Sequence, residues 1–230
     1  MPAHNEADYL SPAVEEVVAG LRDRVEPFEL IICENGSTDR TGEVARDLAG
    51  RHPEIRVVTH LEADYGRALQ AGFLAAEGDL VVNFDVDFVD LGFLDSAVAL
   101  ADGSTGPDVV VGSKRGPGAQ DQRSVGRQVV TAIFSFVLRS GFGLGVSDTH
   151  GLKLLRRAPL VALVTACRFG ADIFDTELVL RAERAGLSVT EIPVSVVDQR
   201  PPRTSILRRI PRSLVGLARL RLALWRDAGC

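Results

Sequence analysis

"GRALQAGFLAAEGDLVVNFDVDFVDL" (residues 66–91) decides the fold. Its first half, 66–78, is rich in Ala and Leu and reads as a helix closed by Gly78. "DLVVNFD" then reads as a buried strand, and that strand runs into three carboxylates, Asp85, Asp87 and Asp90. "LGFLDSAVALAD" beyond them is helical again, so Asp90 sits where a helix cap belongs. Helix, strand and helix in this order make one α/β unit with acids at the strand's carboxyl end.

The pattern repeats outward in both directions. "SPAVEEVVAGLRDRV" predicts a helix with Ser11 as N-cap and Pro12 at its first position. "FELIIC" (28–33), "IRVVTH" (55–60) and "DVVVGS" (108–113) predict strands, and "STDRTGEVARDLAGRHP" predicts a helix between the first two. Strands alternating with helices of this length imply a mostly parallel sheet with helices on both faces. Further on, "GPGAQDQ" (116–122) predicts a loop. Helical patterns lie around 123–140 and 172–186, and "LKLLRR" (152–157) and "SVTEIPVSVV" (188–197) predict strands. The chain opens on "PAHNE", a loop sequence, so a first strand is expected to be missing ahead of it.

Composition narrows the class. The 230 residues suffice for one sizeable core, and 46% hydrophobic with 25% charged residues describes a globular chain. Three cysteines without CxxC spacing point away from a zinc site or disulfide framework. No basic start and apolar segment marks a signal peptide, and no run of about 18 apolar residues is present. The net charge of −5 is uneven: from Arg200 onward eight arginines and one acid give +7, leaving −12 on residues 1–199. The division expected is an α/β domain over 1–199 and a basic segment over 200–230. Read as a helix from Pro211, that segment places Arg212, Arg219 and Arg226 within roughly 40° of one another. Leu214, Leu217, Leu224 and Trp225 fall opposite, which fits either a membrane interface or packing on the core.

In open α/β sheets, ligands bind outside the carboxyl ends of the strands. There the sequence places "ENGSTD" with Glu34 and Asp39, "LEADYGR" with Arg67, "DVDFVD", and "SKRGPG" with Lys114 and Arg115. Each loop alone reads as a turn; four together make a site. Asp85 and Asp87 brought close repel unless a cation compensates, and Mg²⁺ or Mn²⁺ suits carboxylate oxygens and takes phosphates as further ligands.

These motifs resemble family 2 glycosyltransferases of the GT-A fold, a Rossmann-like α/β architecture, and within them the polyprenyl-phosphate (dolichyl-phosphate) mannosyl- and glucosyltransferases. "PAHNE" resembles the P-x-x-N-E opening, "ENGSTDRT" the D-D-G-S-x-D-x-T motif, and 66–87 the long segment ending in D-x-D. "SDTHGLKLLRR" resembles D-x-x-x-G-F-K, one residue shorter, "DTELVLRAERAGLSVTEIPV" the unit ending E-x-P-V, and "DQRPPRTS" a basic D-R-x-x-G-x-S. The resemblance implies that Pro2, His4, Glu6, Glu34, Asp39 and Arg67 line the nucleotide. It implies that Asp85 and Asp87 hold metal and diphosphate, and that Lys114, Arg115 and Arg200 meet acceptor phosphate or donor diphosphate. It implies inverting transfer of a hexose from a UDP- or GDP-sugar, most simply to a lipid phosphate. Asp148, or His150 beside it, is the candidate base should the acceptor be a hydroxyl. The Q-x-x-R-W motif of processive synthases is absent. A cytoplasmic location with peripheral contact at the membrane's cytoplasmic face is expected, and no nucleic-acid partner. Two rivals remain open: "DVDFV" also fits the nucleophile motif of haloacid-dehalogenase-like phosphatases, and a decayed, non-catalytic transferase scaffold on the membrane fits the charge pattern.

Overall fold

A computed structural model describes the chain except for residues 25–26, 104, 116–119, 122–124, 171–172, 197–205 and 229–230. In order, the elements are β1 (Pro2–Ala3), α1 (Ala7–Arg22), β2 (Leu30–Asn35), α2 (Thr41–Arg51), β3 (Ile55–His60), α3 (Tyr65–Ala75), β4 (Leu80–Asn83) and α4 (Leu91–Ala101). There follow β5 (Val109–Ser113), β6 (Gln120–Asp121), α5 (Val125–Phe142), β7 (Lys153–Arg156), α6 (Arg157–Ala166), α7 (Phe174–Arg184), β8 (Val189–Pro193), β9 (Ser195–Val196) and α8 (Ile206–Ala228).

β2 lies between β1 and β3, all parallel. A second sheet runs β4-β7-β5-β8, in which β7 is antiparallel to both neighbours and β5 pairs parallel with β8. The position expected to lack a first strand is held by Pro2–Ala3, whose partners are Cys33 and Glu34. The "PAH" stretch is therefore strand end as well as loop.

Side-chain alternation along the strands explains the two covered faces. Ile32, Val110 and Leu154 point into a cluster with Leu10, Val14, Val17 and Val18 of α1, Leu48 of α2 and Phe93 of α4. Their neighbours Val109, Val111 and Leu155 point the other way, against Phe73 of α3, Leu160 of α6 and Phe174 of α7. Ile31 and Cys33 meet Ala68 and Ala76 on that second side.

Two expectations shift. α1 begins at Ala7, with Pro12 inside it rather than at its start. Tertiary contacts outweigh the local cap signal: the Glu6 N–H donates to Thr41 Oγ1 at 2.7 Å and the Ala7 N–H to Asp39 Oδ2 at 3.2 Å. The start of α1 is thus fixed by α2. α6 follows β7 directly, where "RAPLVALVTA" carries no cap signal ahead of it to mark a helix in the sequence.

Gly72 sets how closely α3 approaches β2. A Cβ there would stand 2.6 Å from Cys33 Sγ, in the strand's buried interior. Gly72→Ala is expected to destabilise by about 1–3 kcal/mol, as overpacking does. Adding Cys33→Ala should recover most of that loss; denaturant unfolding of both single variants and the double variant measures the coupling.

Candidate active site

The carboxyl ends of β1, β2 and β3 carry three loops that are hydrogen-bonded into one edge. Asn5 holds them from the centre. It has φ 54°, a left-handed conformation that Asn tolerates better than most residues. Its Oδ1 accepts from the Thr38 N–H at 2.8 Å, and its own N–H donates to Ser37 Oγ at 3.1 Å. His4 Nδ1 donates to the Asn35 carbonyl at 2.7 Å, which fixes the tautomer and leaves Nε2 to accept from the Asn5 amide. Asn35 Oδ1 accepts the Asp64 N–H at 2.8 Å, tying in the loop before α3.

Several residues expected to line a nucleotide are engaged in building this edge. Pro2 is a buried strand residue, and Glu6 is the N-cap position of α1. Glu34 Oε1 accepts the Ser37 N–H at 2.7 Å. Asp39 accepts from the Thr41 N–H, the Thr41 hydroxyl and the Ala7 N–H. Burial would raise the Asp39 carboxyl, but these donors outweigh it and hold it below the usual range. Arg67 donates to Gln70 Oε1 at 2.7 Å and to the Arg168 carbonyl at 3.1 Å, so its guanidinium braces α3 against the segment before α7.

The aspartate turn lies at the end of β4. Phe84 and Val86 are buried in the first core cluster. The Phe88 N–H donates to the Asp85 carbonyl at 3.1 Å, closing a tight turn over 85–88. Asp85 is half-buried and Asp87 exposed on that turn. Asp90 caps α4 as expected, accepting the Phe93 N–H at 2.9 Å.

Behind the turn is a set of polar groups that sequence reading missed. Lys153, wholly buried on the central strand β7, donates to Asp175 Oδ1 at 2.7 Å and to the Gly151 carbonyl at 2.8 Å. The Tyr65 hydroxyl donates to Asp85 Oδ1 at 2.9 Å. Burial pushes the Asp85 carboxyl up; the Tyr65 bond opposes this, while the charges of Asp175 and Asp87 add to it and Lys153 lowers it. Asp85 thus feels two other carboxylates and one ammonium, and that ammonium is already paired with Asp175. Both residues lie in motif segments, Lys153 in "SDTHGLKLLRR" and Asp175 at the start of "DTELVLRAERAGLSVTEIPV", but nothing in those segments tells that the two side chains pair.

The expected acceptor residues form a neighbouring group. Ser113 Oγ and Ser147 Oγ are 2.8 Å apart, and Glu191 Oε1 accepts from Ser147 N–H, Ser147 Oγ and Asp148 N–H. Lys114 Nζ donates to the His150 carbonyl at 2.8 Å, and the His150 N–H donates to Asp148 Oδ1 at 2.9 Å. Asp148 Oδ2 is buried and has no hydrogen-bond partner among the described residues. Arg115 is exposed at the end of β5, its N–H on Ser113 Oγ. Arg200 lies outside the described residues. Among the described residues no group of three or more His, Cys, Asp or Glu could hold a metal. Asp85 and Asp87 are the pair that could, with water and substrate oxygens completing the shell.

The structure thus has an α/β fold with an acidic turn after β4 and basic residues after β5. The model of the family "Glycosyl transferase family 2" matches residues 1–162, and the chain belongs to that family. It is 31% identical over 218 residues to glycosyltransferase AglD of Haloferax volcanii, covering 91% of this chain and 34% of that protein. It is 28% identical to the dolichyl-phosphate beta-glucosyltransferase ALG5C of Trichomonas vaginalis, covering 84% and 61%. The chain therefore spans about a third and three fifths of these relatives. An uncharacterized glycosyltransferase of Mycobacterium tuberculosis is 32% identical, covering 98% of this chain and 94% of its own length. In fold, the chain resembles glucosyl-3-phosphoglycerate synthase from M. tuberculosis, crystallised with Mn²⁺ and UDP-glucose. The TM-score is 0.66 at 23% identity, covering 93% of this chain and 74% of that one. Nothing supports the phosphatase reading, whose nucleophile motif opens on a first strand; here "DVDFV" follows the fourth.

The charge excess has a measurable consequence. Because Asp85 is raised in the folded state, its ionised form costs stability above that raised range. Asp85→Asn, which keeps an acceptor for Tyr65, is expected to raise the thermal midpoint of chelator-treated protein at pH 7. The gain should fade below about pH 4, where the wild-type carboxyl is protonated in both folded and unfolded states; thermal scans at the two pH values check it.

Proposed function

We propose that the chain transfers a hexose from a UDP- or GDP-sugar to a polyprenyl (lipid) phosphate, with inversion at the anomeric carbon. The observation that carries this reading is the turn of Asp85 and Asp87, with Asp85 in electrostatic reach of the buried Lys153–Asp175 pair. Two carboxylates in a surplus of negative charge fit a divalent cation, Mg²⁺ or Mn²⁺, and the exposed Asp87 leaves it open to diphosphate oxygens. Such a cation, when bound, neutralises the departing diphosphate. The relatives named as a dolichyl-phosphate glucosyltransferase and an undecaprenyl-phosphate transferase support the acceptor class, and the Mn²⁺ and UDP-glucose of the synthase support the donor and metal.

In this reading a phosphate oxygen of the acceptor attacks the anomeric carbon as its bond to the diphosphate breaks, and the nucleoside diphosphate leaves. The acceptor arrives already ionised, so no proton must be removed; Lys114, Arg115 and Arg200 position it. The base assigned to Asp148 is called for only by a hydroxyl acceptor. His4, Glu6, Glu34 and Asp39 shape the nucleotide edge through the hydrogen bonds described above, Pro2 through its place in β1, and Arg67 by bracing α3.

The basic segment 200–230 serves peripheral contact with a membrane on the same reading. α8 divides its apolar residues between two faces. Leu217, Leu220 and Leu224 are buried on the core, while Leu214, Val215, Leu222 and Trp225 are exposed, as are Val129, Ile133 and Phe136 of α5. Arg219 and Arg226 flank the exposed stripe of α8. No helix among the described residues is long and apolar enough to cross a membrane.

Asp87→Ala is expected to abolish Mn²⁺-dependent transfer from a labelled UDP- or GDP-hexose to polyprenyl phosphate while the circular dichroism spectrum is unchanged. Metal-dependent transfer by the folded variant overturns the site. Leu222→Ser with Trp225→Ser spares the buried stripe and is expected to reduce co-sedimentation with anionic vesicles several-fold. Undiminished sedimentation refutes the membrane contact.

A further inference from the structure

Tyr65 opens α3, and nothing in the reading above requires it. Its placement is nonetheless tightly fixed. The preceding residue, Asp64, caps the helix by accepting the Arg67 N–H at 3.0 Å, and its own N–H is held by Asn35. Gly170 packs against the Asp64 carboxylate so closely that a Cβ there would stand 2.2 Å from Oδ2. The Tyr65 ring packs with the second core cluster. The hydroxyl therefore reaches Asp85 Oδ1 from a rigid base, at 2.9 Å. A phenol carries its proton at neutral pH, so the hydroxyl is the donor in this bond.

We propose that Tyr65 is a positioning residue that selects the cation by making Asp85 a one-oxygen ligand. The phenol occupies a lone pair of Oδ1 and draws charge from it, so the stronger remaining donor atom is Oδ2. A cation offered one oxygen from Asp85 must be content with few protein ligands and a compact shell. Mg²⁺ and Mn²⁺ meet that condition, taking about six ligands and keeping several waters. Ca²⁺ prefers about six to eight oxygens at longer distances and gains from carboxylates that bind through both. Tyr65 thereby disfavours Ca²⁺ without touching the metal. The proposal rests on Asp85 and Asp87 as the cation site.

The test measures binding rather than turnover. Titration of the full chain in the presence of UDP, with Mn²⁺ followed by electron paramagnetic resonance and Ca²⁺ by competition, gives the ratio of the two affinities. Tyr65→Phe removes one oxygen atom and keeps the ring. It is expected to shift the ratio about tenfold toward Ca²⁺, the scale of one hydrogen bond to a charged group. An unchanged ratio overturns the proposal. Asp87→Asn separates the two readings: if it binds Mn²⁺ as wild type does, the cation site itself is wrong and the proposal falls with it. A second measurement needs no substitution. The chain has two tyrosines, Tyr9 and Tyr65, so 3-fluorotyrosine labelling yields two fluorine resonances. Mg²⁺ with UDP is expected to shift the Tyr65 resonance and leave Tyr9 in place; an unmoved Tyr65 resonance counts against a link between the phenol and the cation.

Discussion

Lys153 and Asp175 form an ion pair with almost no contact with water: the lysine side chain is 0% exposed and the aspartate 5%. A lone charge at that depth is strongly disfavoured, and removing one partner of such a pair costs about 3–5 kcal/mol. The pair also ties together elements far apart in sequence. Lys153 begins β7, which runs antiparallel between β4 and β5, and its N–H is held by Asn83 at the end of β4. Asp175 stands in the first turn of α7. The sheet, the helix above it and the aspartate turn after β4 therefore share one electrostatic centre. That centre contains more negative than positive charge, an excess that an ordinary core does not tolerate.

Much of the fold was legible because burial imposes period on the strands. Val109, Val110 and Val111 had to face both ways, and "LVVN" before the aspartates had to be covered. Asp90 was legible too, since a cap acts on the helix immediately after it. Pro12 misled, because the contacts that start α1 come from Asp39 and Thr41, some thirty residues on. Within the site, Asp85 and Asp87 announced themselves by their spacing. Tyr65, Lys153 and Asp175 did not: their meaning lies in who their neighbours are across the sheet, and a lysine in an apolar strand looks like any edge residue until the strand proves central. Arg67 shows the converse. Its place in the motif suggests a ligand contact, while its guanidinium is occupied by Gln70 and the Arg168 carbonyl.

The edge built by the loops after β1, β2 and β3 illustrates how a loop-built surface becomes rigid. Asn5, Asn35 and Asp39 each bond to segments other than their own, so the three loops hold one shape through mutual hydrogen bonds rather than through apolar packing. Pre-formed donors and acceptors of this kind lose little entropy when a ligand arrives.

Three of the five charged side chains of α7, Asp175, Glu177 and Arg181, link successive layers. Asp175 reaches inward to Lys153; Glu177, wholly buried, accepts the Arg168 and Phe169 N–H groups at 2.9 Å and the Arg181 guanidinium at 2.8 Å. Arg181 and Arg168 then grip Asp227 near the end of α8. From Asp175 to Arg181 is six residues, or about 9 Å of helix rise. A helix is stiff along its axis, so α7 works as a ruler: it gauges how far the charged centre lies from the outer helix, and that distance is written in helical pitch rather than left to a loop.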